Sequence, residues 1–219
     1  MVVSTAKRVS NSEAAQILAA RDSVLARLIE DAGPMRLSRP RLSPFAALVQ
    51  AIVYQQLAGA AARAIHGRLV DASGGEVTPD ALLALSDETL RGVGLSAAKV
   101  LSLRDLATKV LDGTVVVSPR RLARQPDEEV TRRLTTVRGI GPWSADMFLM
   151  FQLRRLDVWP VGDFGVRNGY GLAWKVPTPT ARELEPLGDR LRPYRTVVAW
   201  YCWRAVELYA GAAESALTR

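Results

Sequence analysis

Apolar residues recur every three or four positions along most of the chain, and this spacing constrains the fold more than any other feature of the sequence. The stretch from Ser10 to Gly33 opens with a capping-box pattern, carries Leu18 and Leu25 on one helical face and stops at a glycine, so it predicts one continuous helix. The segment "TVVVS" at 114–118 contains the longest run of β-branched residues, and it is too isolated to build a sheet. The sequence therefore predicts an all-α protein.

The same spacing predicts helices in the rest of the chain, each with a recognisable start. Ser43 and Pro44 begin two helical pieces that break near Gly59, Thr78 precedes a short helix, and Ser96 caps a longer one. Between the first helix and these pieces lies a connector rich in proline and arginine, "PMRLSRPRLSPF", which marks a boundary. Later helices are predicted at about 126–136, 142–152, 180–191 and 194–212.

Charge and cysteine content limit the partners and the compartment. The chain of 219 residues has 29 Lys and Arg against 22 Asp and Glu, and its net charge of +7 favours a polyanionic partner. Cys202 is the only cysteine, which excludes a disulfide or a four-cysteine metal cluster within this chain and favours a reducing compartment. We expect no membrane partner, because the sequence lacks both the ~18 apolar residues of a membrane span and the apolar core of a signal peptide.

The stretch "TVRGIGPWSADMFLMF" (136–151) combines two closely spaced glycines with a proline and a helical apolar pattern. Gly139 and Gly141 can adopt positive φ and let another backbone approach, and Pro142 suits the first position of a helix. We expect helix, hairpin and helix over about 126–152, with free N–H groups that form an anion site at the second helix. A tight connection without a ligand explains the glycines equally well. A dinucleotide-binding turn does not, because Ser144 stands in place of the third glycine.

A single acidic residue stands out beyond this helix, in "LDVWPVGDFGVRNGYG" (156–171). Asp163 lies in a loop between glycines, where a carboxylate can point into a cleft while the backbone packs closely around it. Asp163 also stands where it could cap a helix that begins at Phe164, and the two roles are compatible. The sequence thus offers Asp163 as a candidate catalytic residue.

The hairpin, Trp143 at the start of the next helix and Asp163, 22 residues after Gly141, together resemble the helix-hairpin-helix DNA glycosylase superfamily. The likeness is greatest to its alkylation-repair branch, the DNA-3-methyladenine glycosylase II type. It extends over most of residues 45–171, and "RPYRTVVAWYCW" near the end of the chain fits it too. The matching pieces are "AIVYQQLAGAAARAIHGRL", "GLSAAKVLSLRDLA", "LTTVRGIGPWSADMFLMF" and "DVWPVGDFGVRNGYG".

The resemblance implies two helical subdomains with a cleft between them that contains Asp163. Residues 1–42 and 164–219 would form the terminal subdomain, and residues 43–163, with the hairpin, would form the central one. It also implies a monofunctional DNA glycosylase that flips out and excises alkylated bases, such as 3-methyladenine and 7-methylguanine, from damaged double-stranded DNA. The alternative function is a non-enzymatic helix-hairpin-helix module that binds damaged DNA, although such a module has no use for a carboxylate facing phosphates.

Three residues receive roles in the chemistry by this resemblance. Asp163 matches the family's essential aspartate, whose charge would stabilise the oxocarbenium character that develops at C1′. Trp143 and Trp203 match aromatic residues around the flipped base, although Trp203 suits the core nearly as well. In the lyase branch a lysine stands at the position of Trp143, so no lyase activity is expected here.

Two short segments receive DNA-binding roles. In the hairpin, the backbone N–H groups of Gly139 and Gly141 would contact a phosphate, with added charge from Arg138. The second segment would enter the minor groove and fill the gap that the flipped base leaves, with the wedge itself open between the last two of its residues. This segment comprises Gln55, Gln56 and Leu57.

Some relatives bind a monovalent cation through carbonyl groups of the hairpin. A Na⁺ or K⁺ ion would bind here to the backbone carbonyls of Thr135, Val137 and Ile140, and no cofactor is otherwise required. We also expect a monomer, located in the bacterial cytoplasm with the nucleoid, or in the nucleus if the chain is eukaryotic.

Overall fold

The computed structural model describes residues 9–217, with side chains described as far as residue 210. Over these residues the chain is helical and has no β-strand, as the sequence predicts. A π-helix (Phe148–Gln152) continues the α-helix Pro142–Met147, and a short 3-10 helix (Asp189–Leu191) follows the α-helix Ala181–Leu187. The α-helices are α1 (Asn11–Arg21), α2 (Ser23–Ala32), α3 (Pro44–Tyr54), α4 (Gly59–Ala72), α5 (Pro79–Ala84), α6 (Asp87–Gly92), α7 (Ala97–Leu111), α8 (Pro119–Leu122), α9 (Asp127–Leu134), α10 (Pro142–Met147), α11 (Phe164–Trp174), α12 (Ala181–Leu187) and α13 (Arg195–Leu217).

The chain forms two compact units. The terminal unit contains the described parts of residues 1–38 and 155–219, and the central unit contains residues 39–154. The expected division after residues 42 and 163 differs from these bounds, so that Asp163 belongs to the terminal unit.

The first predicted helix is two helices, because Asp22 interrupts it. The backbone at Asp22 is extended (φ −145°, ψ 116°), and Oδ1 accepts the N–H groups of Val24 and Leu25, which caps α2. The other carboxylate oxygen accepts hydrogen bonds from the Trp174 indole and the Arg190 guanidinium. The prediction of one continuous helix is therefore wrong: a capping carboxylate ends the helix without disturbing the apolar spacing.

In the terminal unit, α11 packs closely against α13 at Gly169. A Cβ at this position would lie 1.8 Å from the carbonyl oxygen of Cys202, so only glycine allows the contact. The buried Tyr201 donates its hydroxyl hydrogen to the Gly33 carbonyl at 3.0 Å, and Arg27 donates to the Ala173 carbonyl at 3.0 Å. These bonds join α2 to the C-terminal helices.

Residues 155–163 have no helix, but hydrogen bonds to α12 and to the beginning of α13 hold them in place. Asp157 Oδ1 accepts from the Arg195 guanidinium at 2.8 Å. The buried Thr196 hydroxyl donates to the Arg155 carbonyl and accepts the N–H of Val158. The Trp159 indole donates to the Leu184 carbonyl at 3.0 Å. The segment that leads into Asp163 is therefore fixed by side-chain contacts.

In the central unit, α3 is held at both ends. The Ser43 hydroxyl accepts the N–H of Ala46 and caps its first turn. The Lys99 ammonium, on α7, donates to the carbonyls of Val53 and Gln55 at 2.8 Å each and so satisfies its last turn. Burial lowers the pKa of Lys99. The break that the sequence predicts near Gly59 begins earlier, directly after Tyr54.

Candidate functional site

The turn between α9 and α10 is the hairpin that the sequence predicts. Gly139 has a φ of +79°, and a Cβ there would lie 2.8 Å from the Ser102 hydroxyl, so glycine is required on two counts. Gly141 has a φ of −98° with open space around it. Positive φ is therefore found at Gly139 and not at Gly141. The open space at Gly141 leaves the surface there accessible to a ligand.

Two backbone donors of the hairpin are unused. Within residues 9–217, neither Gly139 nor Gly141 donates its N–H to another group of the protein. Their neighbours do: the N–H of Arg138 donates to Asp105 Oδ2 at 2.7 Å, and that of Ile140 donates to the Val137 carbonyl at 3.1 Å. Two free N–H groups so close together, at the start of α10, form a site for an anion.

The structure brings the segment 55–57 against this hairpin. The Gln55 side chain donates its amide N–H to the Gly139 carbonyl at 2.8 Å. Gln56 is exposed and has a left-handed backbone (φ +56°), and Leu57 is exposed as well. Of the three predicted residues, Gln56 and Leu57 are therefore available to a ligand, whereas the amide of Gln55 is engaged.

A cavity of about 990 Å³ lies beside these two segments, within the central unit. Trp143 projects its half-exposed ring at this cavity, and the π-helix contributes the partly exposed Phe151. π-Helices occur frequently at functional sites because they displace side chains from the helical register. The size and the lining of the cavity suit an aromatic ligand. The aromatic and apolar residues of the lining include Ala51, Tyr54, Trp143, Met147 and Phe151.

Asp163 is the N-cap of α11, and two donors hold its carboxylate at the same oxygen. Oδ1 accepts the N–H of Val166 at 2.8 Å and the indole N–H of Trp203 at 2.9 Å. Gly165 makes room for this arrangement, since a Cβ there would lie 2.9 Å from the Trp203 ring. A carboxylate oriented in this way is suited to stabilise a positive charge.

The side chains around Asp163 add two findings to the sequence analysis. Trp203 meets the carboxylate through the edge of its indole ring, a contact that neither base stacking nor core packing had suggested. Phe164, for which the sequence predicts no role, is 64% exposed, and the Arg167 guanidinium lies 5.4 Å from its ring centre. The position of Phe164 directly after Asp163 is the feature of the sequence that could have indicated a role for it.

The structure bears on the predicted cation only through the chemistry of the carbonyl groups. The part of the chain that the structure describes has no cluster of three or more His, Cys, Asp or Glu side chains that could hold a metal. The Val137 carbonyl accepts the Ile140 N–H, but a carbonyl oxygen keeps a second lone pair, so the carbonyls of Thr135, Val137 and Ile140 fit a monovalent ion chemically. The ion stays a prediction.

The hairpin, the adjacent segment and the capped aspartate fall within a match to a known family. The model of the HhH-GPD superfamily, described as base excision DNA repair protein, matches residues 49–193. The chain belongs to the HhH-GPD superfamily. This confirms the resemblance and the all-α class, and only Trp203 of the candidate site residues lies outside the matched range.

Similar proteins within the HhH-GPD superfamily are named for one activity. DNA-3-methyladenine glycosylase 1 of Schizosaccharomyces pombe is 34% identical over 187 residues, which cover 84% of this chain and 81% of that protein. The structure of the S. pombe 3-methyladenine DNA glycosylase with abasic DNA has a TM-score of 0.77 at 33% identity, over 89% of this chain and 97% of that one. The DNA-3-methyladenine glycosidase of Bacillus halodurans has a TM-score of 0.84 at 36% identity, over 91% and 92%.

None of the described helices of this HhH-GPD protein combines the length and the apolar character that crossing a membrane needs.

Proposed function

We propose that this chain is a monofunctional DNA glycosylase that flips out and excises alkylated bases, among them 3-methyladenine and 7-methylguanine. The observation that carries the proposal is the Asp163 carboxylate, which the Val166 N–H and the Trp203 indole hold at one oxygen at the start of α11. The activity in the names of the relatives at 33–36% identity supports this choice of substrate.

Binding of duplex DNA comes first in this mechanism. The net charge of +7 attracts the polyanion, and the free N–H groups of Gly139 and Gly141 bind one phosphate near the lesion. The exposed Gln56 or Leu57 fills the gap that the flipped nucleotide leaves, which offsets part of the few kcal/mol that unstacking costs. These contacts carry no sequence information, so the enzyme searches DNA without sequence preference.

The chemical step breaks the bond between C1′ of the sugar and the base nitrogen. The electron pair of this bond leaves with the base, and a purine alkylated at N3 or N7 departs as a neutral molecule because it carried a positive charge beforehand. Positive charge develops on the sugar, where the Asp163 carboxylate stabilises it. Water then adds to C1′ and loses a proton, which yields a free base and an abasic site.

Trp143 contributes to the choice of base. The electron-rich face of an indole attracts a cation by about 0.5–2 kcal/mol, so a half-exposed Trp143 favours alkylated bases over neutral ones. An indole has no amine that could form a Schiff base with C1′. The enzyme therefore releases the base without a lyase step, and borohydride should trap no covalent complex with DNA.

The first test measures base release from methylated duplex DNA under single-turnover conditions. Asp163→Asn should slow release by about 10²-fold or more and leave binding of the same DNA intact. Asp189→Asn is the matched control, because it removes one negative charge from an exposed site of the same unit. Equal rates for Asp163→Asn and wild type would refute the role of Asp163. Wild-type binding without release of any lesion would favour the binding module instead.

The second test separates the two tryptophans by their substrates. Trp143→Ala should slow excision of the cationic 7-methylguanine more than that of the neutral hypoxanthine, because stacking on a cation is lost. Trp203→Phe keeps a ring but removes the hydrogen bond to Asp163, so both substrates should slow alike. A uniform loss for Trp143→Ala would contradict the selective role of that residue.

A further inference from the structure

Two charged residues of α7 hold the backbone of the hairpin. Asp105 Oδ2 accepts the N–H of Arg138 at 2.7 Å and the ammonium of Lys109 at 2.8 Å. The same ammonium donates to the carbonyl oxygen of Thr136. The pair therefore satisfies one donor and one acceptor of a single turn.

The hairpin has no acceptor of its own for the Arg138 N–H. The N–H groups of Val137 and Ile140 are bonded within the hairpin, to the carbonyls of Leu134 and Val137. The carboxylate of Asp105 supplies the missing acceptor and fixes the peptide unit next to that of Gly139. Gly139 carries one of the two free N–H groups, so the orientation of the anion site depends on this contact.

A carboxylate this close to an anion site needs a counter-charge. Unpaired, it would repel a phosphate bound at the neighbouring N–H groups. Lys109 supplies the opposite charge, and the side chains of Lys109 and Asp105 are only 25% and 31% exposed, so that water screens them incompletely. Burial raises the pKa of Asp105, but the hydrogen bonds from Lys109 and the Arg138 N–H outweigh it and hold the pKa below its ordinary value. Asp105 is therefore anionic at neutral pH.

We infer that Asp105 and Lys109 are positioning residues for phosphate binding by the hairpin: Asp105 holds the turn in shape, and Lys109 cancels the charge that Asp105 brings. The inference rests on the proposed function, because it assigns the hairpin to a DNA phosphate. An ordinary i,i+4 ion pair adds a little to stability and leaves ligand affinity unchanged. A positioning pair acts on DNA affinity instead, and its two members act differently.

The test measures the affinity for a short duplex that contains a tetrahydrofuran abasic-site analogue, by fluorescence anisotropy at low and high salt. Lys109→Met should bind about tenfold more weakly at low salt, because it leaves an unpaired carboxylate beside the phosphate, and the loss should shrink at high salt. Lys109→Arg should bind like wild type. The matched control is Arg132→Met, which removes one positive charge and one ion pair from α9 without contact to the turn.

Variants of Asp105, alone and combined with Lys109→Met, separate the effect of the shape of the turn from the effect of the Asp105 charge. Asp105→Asn keeps an oxygen for the Arg138 N–H and should bind within about threefold of wild type, whereas Asp105→Ala, which removes this acceptor, should bind about tenfold more weakly. In the Asp105→Asn background, Lys109→Met should cost no more than Arg132→Met. Single-turnover base release by Arg132→Met at saturating enzyme should equal that of wild type.

Three results overturn the inference. They are a Lys109→Met loss no larger than that of Arg132→Met, a loss that persists in the Asp105→Asn background, and equal affinities for Asp105→Ala and Asp105→Asn. If Lys109→Met does not fold, the two Asp105 variants decide. A wild-type protein that binds the duplex but releases no base refutes the proposed function alone, because the affinity measurements need no excision.

Discussion

The two glycines of the hairpin are glycine for different physical reasons. Gly139 needs its residue type for the fold, since its φ is +79° and Ser102 leaves no room for a Cβ. Gly141 needs nothing of the kind, since its φ is −98° and no atom lies within 4 Å of a Cβ built there. The open space at Gly141 is instead the room that an incoming phosphate would require.

Replacement of Gly139 by alanine should therefore lower stability, whereas replacement of Gly141 should weaken DNA binding. Gly139→Ala should lower the free energy of unfolding by about 1–3 kcal/mol. Gly141→Ala should change it by no more than about 0.5 kcal/mol, yet weaken binding to every DNA sequence alike by about tenfold. Urea denaturation and anisotropy with unrelated duplexes check both. Wild-type affinity in a folded Gly141→Ala protein would count against phosphate binding at this hairpin.

The burial of Asp146, on α10, makes the free energy of unfolding depend on pH. Burial raises its pKa to about 6, whereas an unfolded chain has an aspartate pKa of about 3.9. Between these values the native protein holds a proton that the unfolded chain has lost, so the free energy of unfolding falls as pH rises through this interval. The carboxylate is a cost to stability at neutral pH.

Asp146→Asn should consequently be more stable than wild type at pH 7.5 and about equally stable near pH 2.5, where Asp146 is largely protonated in both states. Asp112 provides a control of opposite sign, since hydrogen bonds from Thr114 lower its pKa. Asp112→Asn should lose stability at pH 7.5 and lose none at low pH. Thermal melts across this range test the pair, and an Asp146→Asn benefit that is independent of pH would contradict the role of burial.

Between helices, the backbones of α11 and α13 come into close contact at Gly169. An added methyl group there has no room, because it would meet backbone rather than a movable side chain. Gly169→Ala should destabilise the protein by at least about 3 kcal/mol or prevent folding. The matched control is Gly67→Ala inside α4, where nothing lies within 4 Å and alanine should stabilise by about 0.5–1 kcal/mol. Similar melting temperatures for the two variants would refute the close approach.

The helices also show which structural features short-range sequence patterns can predict. Period and caps predict where α3, α7 and α9 begin, because these signals lie within a few residues of each start. They miss the break at Asp22, because the apolar spacing continues past this cap and its other partners, Trp174 and Arg190, are far away in the sequence. The π-helix at Phe148–Gln152 escapes them as well, since an apolar run reads alike in both kinds of helix.

Across the entire chain, the candidate site could be predicted only as separate motifs. Asp163 and the hairpin stand out in the sequence because glycine and proline surround them. The bonds from Trp203 to Asp163 and from Gln55 to Gly139 join residues 40 and 84 positions apart, and no local pattern encodes them. The family resemblance supplied the roles, and the fold supplied the partners.

The division into units predicts how the protein unfolds. The terminal unit is built from both ends of the chain, and the central unit joins its two parts. If the central unit unfolds, the terminal unit must close a flexible loop of 116 residues, which costs about 4 kcal/mol in entropy. A folded central unit instead holds the two ends of this segment in place, so the entropy cost does not arise. Loss of the central unit should therefore open the terminal one.

Cys202 can report this coupling, because it is the only cysteine and is fully buried in the terminal unit. Burial, with a smaller effect from the Asp163 charge, raises its pKa, so a thiol reagent should react only after opening. Leu103→Ala removes a fully buried side chain of α7 in the central unit and should accelerate labelling of Cys202 at least about tenfold. Leu101→Ala, on the same helix but half exposed, should leave the rate near that of wild type. If Leu103→Ala lowers the helix melting temperature while labelling stays slow, the terminal unit keeps its fold without the central one, and the loop argument fails.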